Sequence, residues 1–99
     1  MRKKIEGAAL QAAVAELADW KLEKDGLVRT VLFPDFASAI VFVNRAAELA
    51  EEADHHPDID IRFNKIRIAL TTHSAGGISK MDLDMAARLD AEVQSMKNC

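Results

Sequence analysis

Apolar residues recur along this chain with two different periods, and the points where the period changes divide it into seven elements. Leu10, Ala13, Val14, Leu17 and Ala18 fall at helical spacing with Gln11, Glu16 and Asp19 opposite. They predict a first amphipathic helix over residues 6–18 that lays one face on a sheet. Trp20-Lys21-Leu22-Glu23 then alternates, Lys24-Asp25-Gly26 offers a turn with Gly available for positive φ, and residues 27–33 are rich in β-branched and apolar side chains. This is the pattern of a β-hairpin ended by Pro34. Asp35 is placed to cap a second helix whose apolar positions Phe36, Ile40, Val43, Ala47 and Ala50 follow a regular 4,3,4,3 spacing. A second apolar row, Phe42, Ala46, Leu49 and Ala53, lies about 110° around the same helix. If the first row covers the sheet, the second needs another partner. A neighbouring helix of the same subunit and a subunit interface both remain open.

After Pro57 the period becomes two. Ile59, Ile61 and Phe63 share one face and Asp58, Asp60, Arg62 and Asn64 the other; Ile66, Ile68 and Leu70 then oppose Lys65, Arg67 and Thr71. Asn64-Lys65 is the predicted turn between these two strands. A loop over residues 72–77 leads to Ser79, an N-cap candidate with Asp82 at the third helical position, and to a last helix carrying Met85, Leu89, Val93 and Met96 on one face. The order is α-β-β-α-β-β-α. Short links favour antiparallel pairing, so the expected fold is α+β, a four-stranded antiparallel sheet with three helices packed on one face. Ninety-nine residues suit one core, and the expectation is a single domain over residues 1–99.

Charge narrows the possible partners. Thirteen Lys and Arg against sixteen Asp and Glu give a formal charge of −3, which provides neither a basic footprint for nucleic acid nor a polybasic patch for anionic lipid. The opening Met1-Arg2-Lys3-Lys4 resembles the charged start of a signal peptide, but Glu6, Gln11 and Glu16 interrupt the apolar run that should follow, so a solvated arm is expected. No stretch approaches the roughly twenty apolar residues of a membrane helix. Cys99 is the only cysteine; it fits a reducing compartment, with cytosol as the expected location, and its terminal position does not suit a nucleophile.

Chemistry concentrates in Glu51-Glu52-Ala53-Asp54-His55-His56-Pro57 and in Thr72-His73, because these hold all three histidines. Imidazole titrates near neutral pH, at about 6.5 when unperturbed, and can give and take protons. His55 and His56 are expected at the end of the second helix, with His56 pushed out of helical conformation by Pro57. His73 lies just beyond the fourth strand. The hairpin between the third and fourth strands places its outer ends side by side, so the three rings are expected to line one cleft. Zinc is disfavoured by the lack of a nearby Cys and of a His-x-x-x-His pair. Ser74 and Ser79 lack the turn that exposes a nucleophilic serine, and Gly76-Gly77 lacks the spacing of a dinucleotide loop. Acid–base catalysis on a neutral organic substrate remains, beside the plainer reading of each His as an exposed helix-end or loop residue.

The run Glu51-x-x-x-His55-His56-Pro57, followed by Phe63, His73 and Asp82, resembles the signature of the pterin-4a-carbinolamine dehydratases, also known as dimerisation cofactors of a homeodomain transcription factor. The likeness extends to Trp20, to Phe33-Pro34-Asp35-Phe36 and to Asn64-Lys65, and so covers nearly the whole chain. It implies the α+β fold already outlined and a homodimer or homotetramer, which supports an interface on helix 2 through Phe42 and Leu49. It implies dehydration of a 4a-hydroxytetrahydropterin, the product of aromatic amino acid hydroxylases, to quinonoid dihydropterin and water, with no metal or redox cofactor. Carried over residue by residue, His55 and His73 become an acid–base pair and His56 binds or orients the pterin; Pro57 and Thr72 are further candidates for substrate contact, although Thr72, with Thr71 and Ser74, reads more simply as closing strand and loop hydrogen bonds. Glu51 and Asp82 match the family's acidic positions and hold the imidazoles; read without the family they are a solvated helix charge and a capping partner of Ser79. Ile59 departs from the pattern where many members carry an aromatic residue, and Asp19 replaces the common Gly before Trp20. The resemblance also carries a rival from another class: a non-catalytic protein-binding module, acting as a dimerisation cofactor or transcriptional coactivator.

Overall fold

Two tight β-hairpins with a long helix between them set the architecture. The computed structural model describes residues 3–97; Met1, Arg2 and Cys99, which figured in the reading of the chain ends, lie outside them. The elements are α1 (Gly7–Ala15), β1 (Lys21–Glu23), β2 (Gly26–Leu32), α2 (Phe36–Ala53), β3 (Asp58–Arg62), β4 (Lys65–Leu70), a turn of 3-10 helix (His73–Ala75) and α3 (Lys80–Lys97). The four strands form one antiparallel sheet, as the alternating patterns predict, and its strand order is β1-β2-β4-β3. On the helix-covered face Leu27, Val31, Ile66, Ile68 and Leu70 pack with Phe42, Ala46, Met85, Ala86, Leu89 and Val93 in one buried cluster.

The first hairpin turns where Gly26 can make it turn. Its φ is +128, and a Cβ built there would lie 2.3 Å from the Leu70 carbonyl oxygen of the neighbouring strand, so the close approach of β2 to β4 requires glycine. The second hairpin differs from expectation by one residue. Arg62 pairs with Lys65, which makes Phe63-Asn64 the turn, and Phe63 takes φ +52 with 69% of its surface exposed. Asn64 is held in place instead: its side-chain amide donates to the Phe33 carbonyl at 2.7 Å while the Phe33 N–H donates to the Asn64 carbonyl at 2.9 Å. That anchorage leaves the left-handed position to Phe63, removing it from the apolar face of β3.

Helix α2 begins as the sequence predicts, with the Asp35 carboxylate accepting the Ser38 N–H at 2.7 Å. Of the two explanations open for its second apolar row, burial within the same subunit is the one the structure shows. Ala39, Phe42, Ala46 and Ala50 are the buried positions, and Phe36 and Ala47, from the row assigned to the sheet, are exposed. Phe42 is fully buried with its ring centroid 5.2 Å from that of Phe33, so it belongs to the subunit's own core and not to an interface; Leu49 is half-buried against the same cluster. The aromatic ring is the largest apolar side chain of the two rows apart from Phe36, and Phe33 at the end of β2 supplies the surface that decides which row turns inward. Helix α1 is shorter than the pattern suggested and has no fully buried residue; Leu10, Val14 and Leu17 pack half-buried on the core.

Candidate active site

The histidine pair owes its position to the way α2 stops. Asp54 adopts left-handed φ 51 and ψ 46, its N–H bonds back to the Glu51 carbonyl at 3.3 Å, and the His55 N–H bonds to the Ala50 carbonyl at 3.0 Å. This is the Schellman arrangement, with Asp where Gly is usual. The break comes at Asp54, so both histidines lie beyond the helix and their rings diverge. His55 turns inward, to 7% exposure; His56 turns out to solvent.

His55 meets a carboxylate that the start of α3 holds in the interior. Its Nε2 lies 2.5 Å from Oδ1 of Asp82, which is fully buried. Asp82 Oδ2 accepts from the Thr72 hydroxyl at 2.7 Å and from the Ser79 N–H at 2.9 Å. The Ser79 hydroxyl lies 2.7 Å from that of Thr72 and accepts the Met81 N–H at 3.2 Å. Asp82 thus returns a side-chain bond to the Ser79 N–H as its spacing predicted, while the Ser79 hydroxyl caps the Met81 N–H one residue earlier than in a full capping box, and the pair also supports His55. Thr72 was expected to contact substrate; it is 2% exposed and its hydroxyl is committed to Asp82 and Ser79. Among the described residues no buried side-chain nitrogen or oxygen lacks a partner.

His56 pairs with the other acidic position: its Nε2 lies 2.5 Å from Oε2 of Glu51, both exposed. Pro57, half-buried, follows directly and leads into β3. His73 opens a loop closed by its own backbone, in which Thr72 and Gly77 exchange hydrogen bonds of 2.9 and 3.3 Å and the Ala75 N–H bonds to the Thr72 carbonyl. Its side chain is exposed and lines a cavity of about 630 Å³ together with Asp58, Thr71, Gly77, Lys4 and Leu22. His55 lines a separate hollow of about 190 Å³ with Ala53, Met81, Asp84, Met85 and Arg88. His56 belongs to neither. The three rings therefore do not line the single cleft expected of them; His55 and His73 are connected only indirectly, through Asp82, which binds the His55 ring and the hydroxyl of Thr72, the residue before His73.

Sequence reasoning missed Met81, Asp84 and Arg88 as neighbours of His55. The signal was their spacing of three and four on α3, one stripe facing the same side. Arg88 is held there by Glu52 of α2 at 2.8 Å. Among the described residues no three His, Cys, Asp or Glu side chains are grouped so as to hold a metal ion.

The sequence profile described as pterin 4 alpha carbinolamine dehydratase matches residues 3–92. The chain belongs to this family. A Thermomicrobium roseum protein named for the pterin-4-alpha-carbinolamine dehydratases is 48% identical over 92 residues, covering 93% of this chain and 98% of its own. One from Acidobacterium capsulatum, named likewise, is 49% identical over 83 residues, 84% of this chain and 90% of its own. The crystal structure of a transcriptional coactivator/pterin dehydratase from Brucella melitensis superposes with a TM-score of 0.86 at 30% identity, covering 90% of this chain and 97% of that one. The carbinolamine dehydratase family is thus shown by sequence over nearly the whole chain, and its fold by the superposition.

Proposed function

We propose that this chain, acting as one domain, removes water from a 4a-hydroxytetrahydropterin to give a quinonoid dihydropterin, as part of pterin recycling after aromatic amino acid hydroxylation. The step needs a proton on the leaving 4a-hydroxyl and loss of the proton on N5 as the double bond between C4a and N5 forms; one proton is given, one taken, and no electrons change hands. That balance is what a pair of imidazoles can supply without a metal or redox cofactor. His55 and His73 are the proposed acid–base pair. His56, kept in place by Glu51, and Pro57 are proposed to bind the pterin, with Ile59 replacing an aromatic stacking surface by an aliphatic one.

One observation carries this reading: the His55 ring is buried on a buried carboxylate, and the loop bearing His73 is tied to that same carboxylate through Thr72. A histidine merely filling the core would not require a buried carboxylate that also fixes the strand end from which the second motif histidine projects. The test is to add the chain to chemically generated 4a-hydroxytetrahydropterin and follow the absorbance of the quinonoid product. Water loss faster than with free imidazole at equal concentration is expected; no acceleration would overturn the proposal. The chain is proposed to act in the cytosol; among the described residues no helix is long and apolar enough to cross a membrane.

A second reading has one observation in its favour. Phe36, 49% exposed, begins a stripe on α2 that continues through half-buried Ile40 and Val43 to exposed Ala47, an apolar flank that a second copy or a protein partner could cover. Self-association or partner binding through this flank is proposed in place of the Phe42 and Leu49 surface. Phe36→Glu should then lower the mass measured by light scattering while leaving dehydration intact; an unchanged mass would remove the reading.

A further inference from the structure

With Asp82 ionised, the buried hydroxyls behind His55 have only one set of proton positions. Asp82, as a carboxylate, accepts and does not donate. The Thr72 hydroxyl has a single hydrogen, and at 2.7 Å it goes to Asp82 Oδ2. The Ser79 hydroxyl must therefore be the donor in its 2.7 Å contact with Thr72, and it receives the Met81 N–H on its own oxygen. With the Ser79 N–H also directed at Oδ2, every hydrogen in the chain runs toward Asp82, an arrangement suited to an ionised acceptor. Oδ1 is left for His55, whose Nε2 must then carry the hydrogen it shares. Imidazole has two nitrogens, and fixing one as donor leaves the other as the basic one.

We infer that Ser79 and Thr72 are positioning residues which, through Asp82, lock His55 as the Nε2–H tautomer, so that Nδ1 is the nitrogen that exchanges protons with the substrate. The inference rests on the dehydratase reading above for what Nδ1 does, though not for which tautomer is present. The framework is stiff enough for the task. Thr72, Ser79 and Asp82 are 2%, 1% and 0% exposed. Thr72 is clamped by its backbone bonds to Gly77, and Ser79 by the N-terminal arm, where Lys4 forms a bridge opposite it and the Ile5 N–H bonds to the Ile78 carbonyl at 2.7 Å. A role as substrate contact, which the sequence suggested for Thr72, would affect binding; a role in orienting His55 affects turnover.

The experiment combines ¹⁵N NMR of the histidine rings with steady-state kinetics on the parent, Thr72→Val, Thr72→Ser and Ser79→Ala. In the parent, the neutral His55 ring should show a protonated Nε2 and a bare Nδ1. Thr72→Val should bring in the other tautomer and lower kcat by roughly ten- to a hundredfold with KM little changed, as for loss of a partner that orients a catalytic ligand. Ser79→Ala should do the same to a smaller degree, and Thr72→Ser should restore both readouts. A parent spectrum with the hydrogen on Nδ1 overturns the inference without any variant. So does a folded Thr72→Val or Ser79→Ala protein with unaltered tautomer and kcat, or one in which only KM moves. If the parent has no dehydratase activity, the functional reading fails while the spectrum still decides the tautomer.

Discussion

His73 is exposed on a loop whose backbone closes on itself, so truncating the side chain removes a ring and little else. His73→Ala should leave stability within about 0.5 kcal/mol of the parent, as for most surface changes, and reduce kcat by about 10² to 10⁴, the usual contribution of a positioned acid or base. Thermal melting and dehydration rates measure the two separately. Asp82 behaves in the opposite way. Asp82→Ala leaves the His55 ring, the Thr72 hydroxyl and the Ser79 N–H without their acceptor in the interior, at about 1–3 kcal/mol for each buried group left unsatisfied, and should lower the midpoint of urea unfolding. Ser79 and Asp82 could be seen beforehand as a pair because a capping box is a matter of spacing along one helix. That Thr72 would aim its hydroxyl at the same carboxylate could not be seen, because it depends on where a separate strand ends in space. Glu51 was visible as an acidic neighbour of the histidines, but only the break at Asp54 determines that it holds His56 while Asp82 holds His55.

At the level of elements, the firmest local signal was Asp35. Its carboxyl is held below the usual carboxylate range by the hydrogen bond from the Ser38 backbone, so it binds its proton less readily folded than unfolded. The sign follows: the stabilisation is present above the unfolded pKa of about 3.9 and is lost as pH falls through the lower folded value. Asp35→Ala should therefore melt below the parent at pH 7, with the gap closing as the pH falls through the lowered folded value. A gap that persists there would mean the cap does not act through its charge. Capping chemistry is readable because it is local. The facing of α2 was not, since Phe36-Ile40-Val43 and Phe42-Ala46-Leu49 are rows of similar hydrophobicity and only Phe33, at the end of another element, favours the second. The β3–β4 turn slipped for a related reason: Asn64, which alone looks like the turn residue, is used to tie the turn to Phe33, and Phe63 takes the strained position.

Across the whole molecule, two positions hold the layers together. Phe42 joins α2 to the sheet through Phe33, and Phe42→Ala should cost about 3–5 kcal/mol, the range for deleting a buried aromatic ring, read from urea unfolding. Gly26 lets β2 and β4 approach, and Gly26→Ala would put a Cβ against the Leu70 carbonyl, so the variant should unfold at markedly lower denaturant. Hairpin pairing and the single covered face were legible from period-two alternation and short links, which are statements about neighbours in sequence; the pairing of β2 with β4, which sets the strand order, joins segments on either side of α2 and was not. The division of the histidines between two hollows was not, because it depends on how α3 lies against the end of α2. The central claim is that the buried imidazole of His55 moves a proton during loss of water from a 4a-hydroxytetrahydropterin. The most direct measurement is kcat/KM for that step in the parent and in a folded His55→Gln variant. A fall of about a hundredfold or more is predicted, and an unchanged value in a variant that melts as a folded protein would contradict the account.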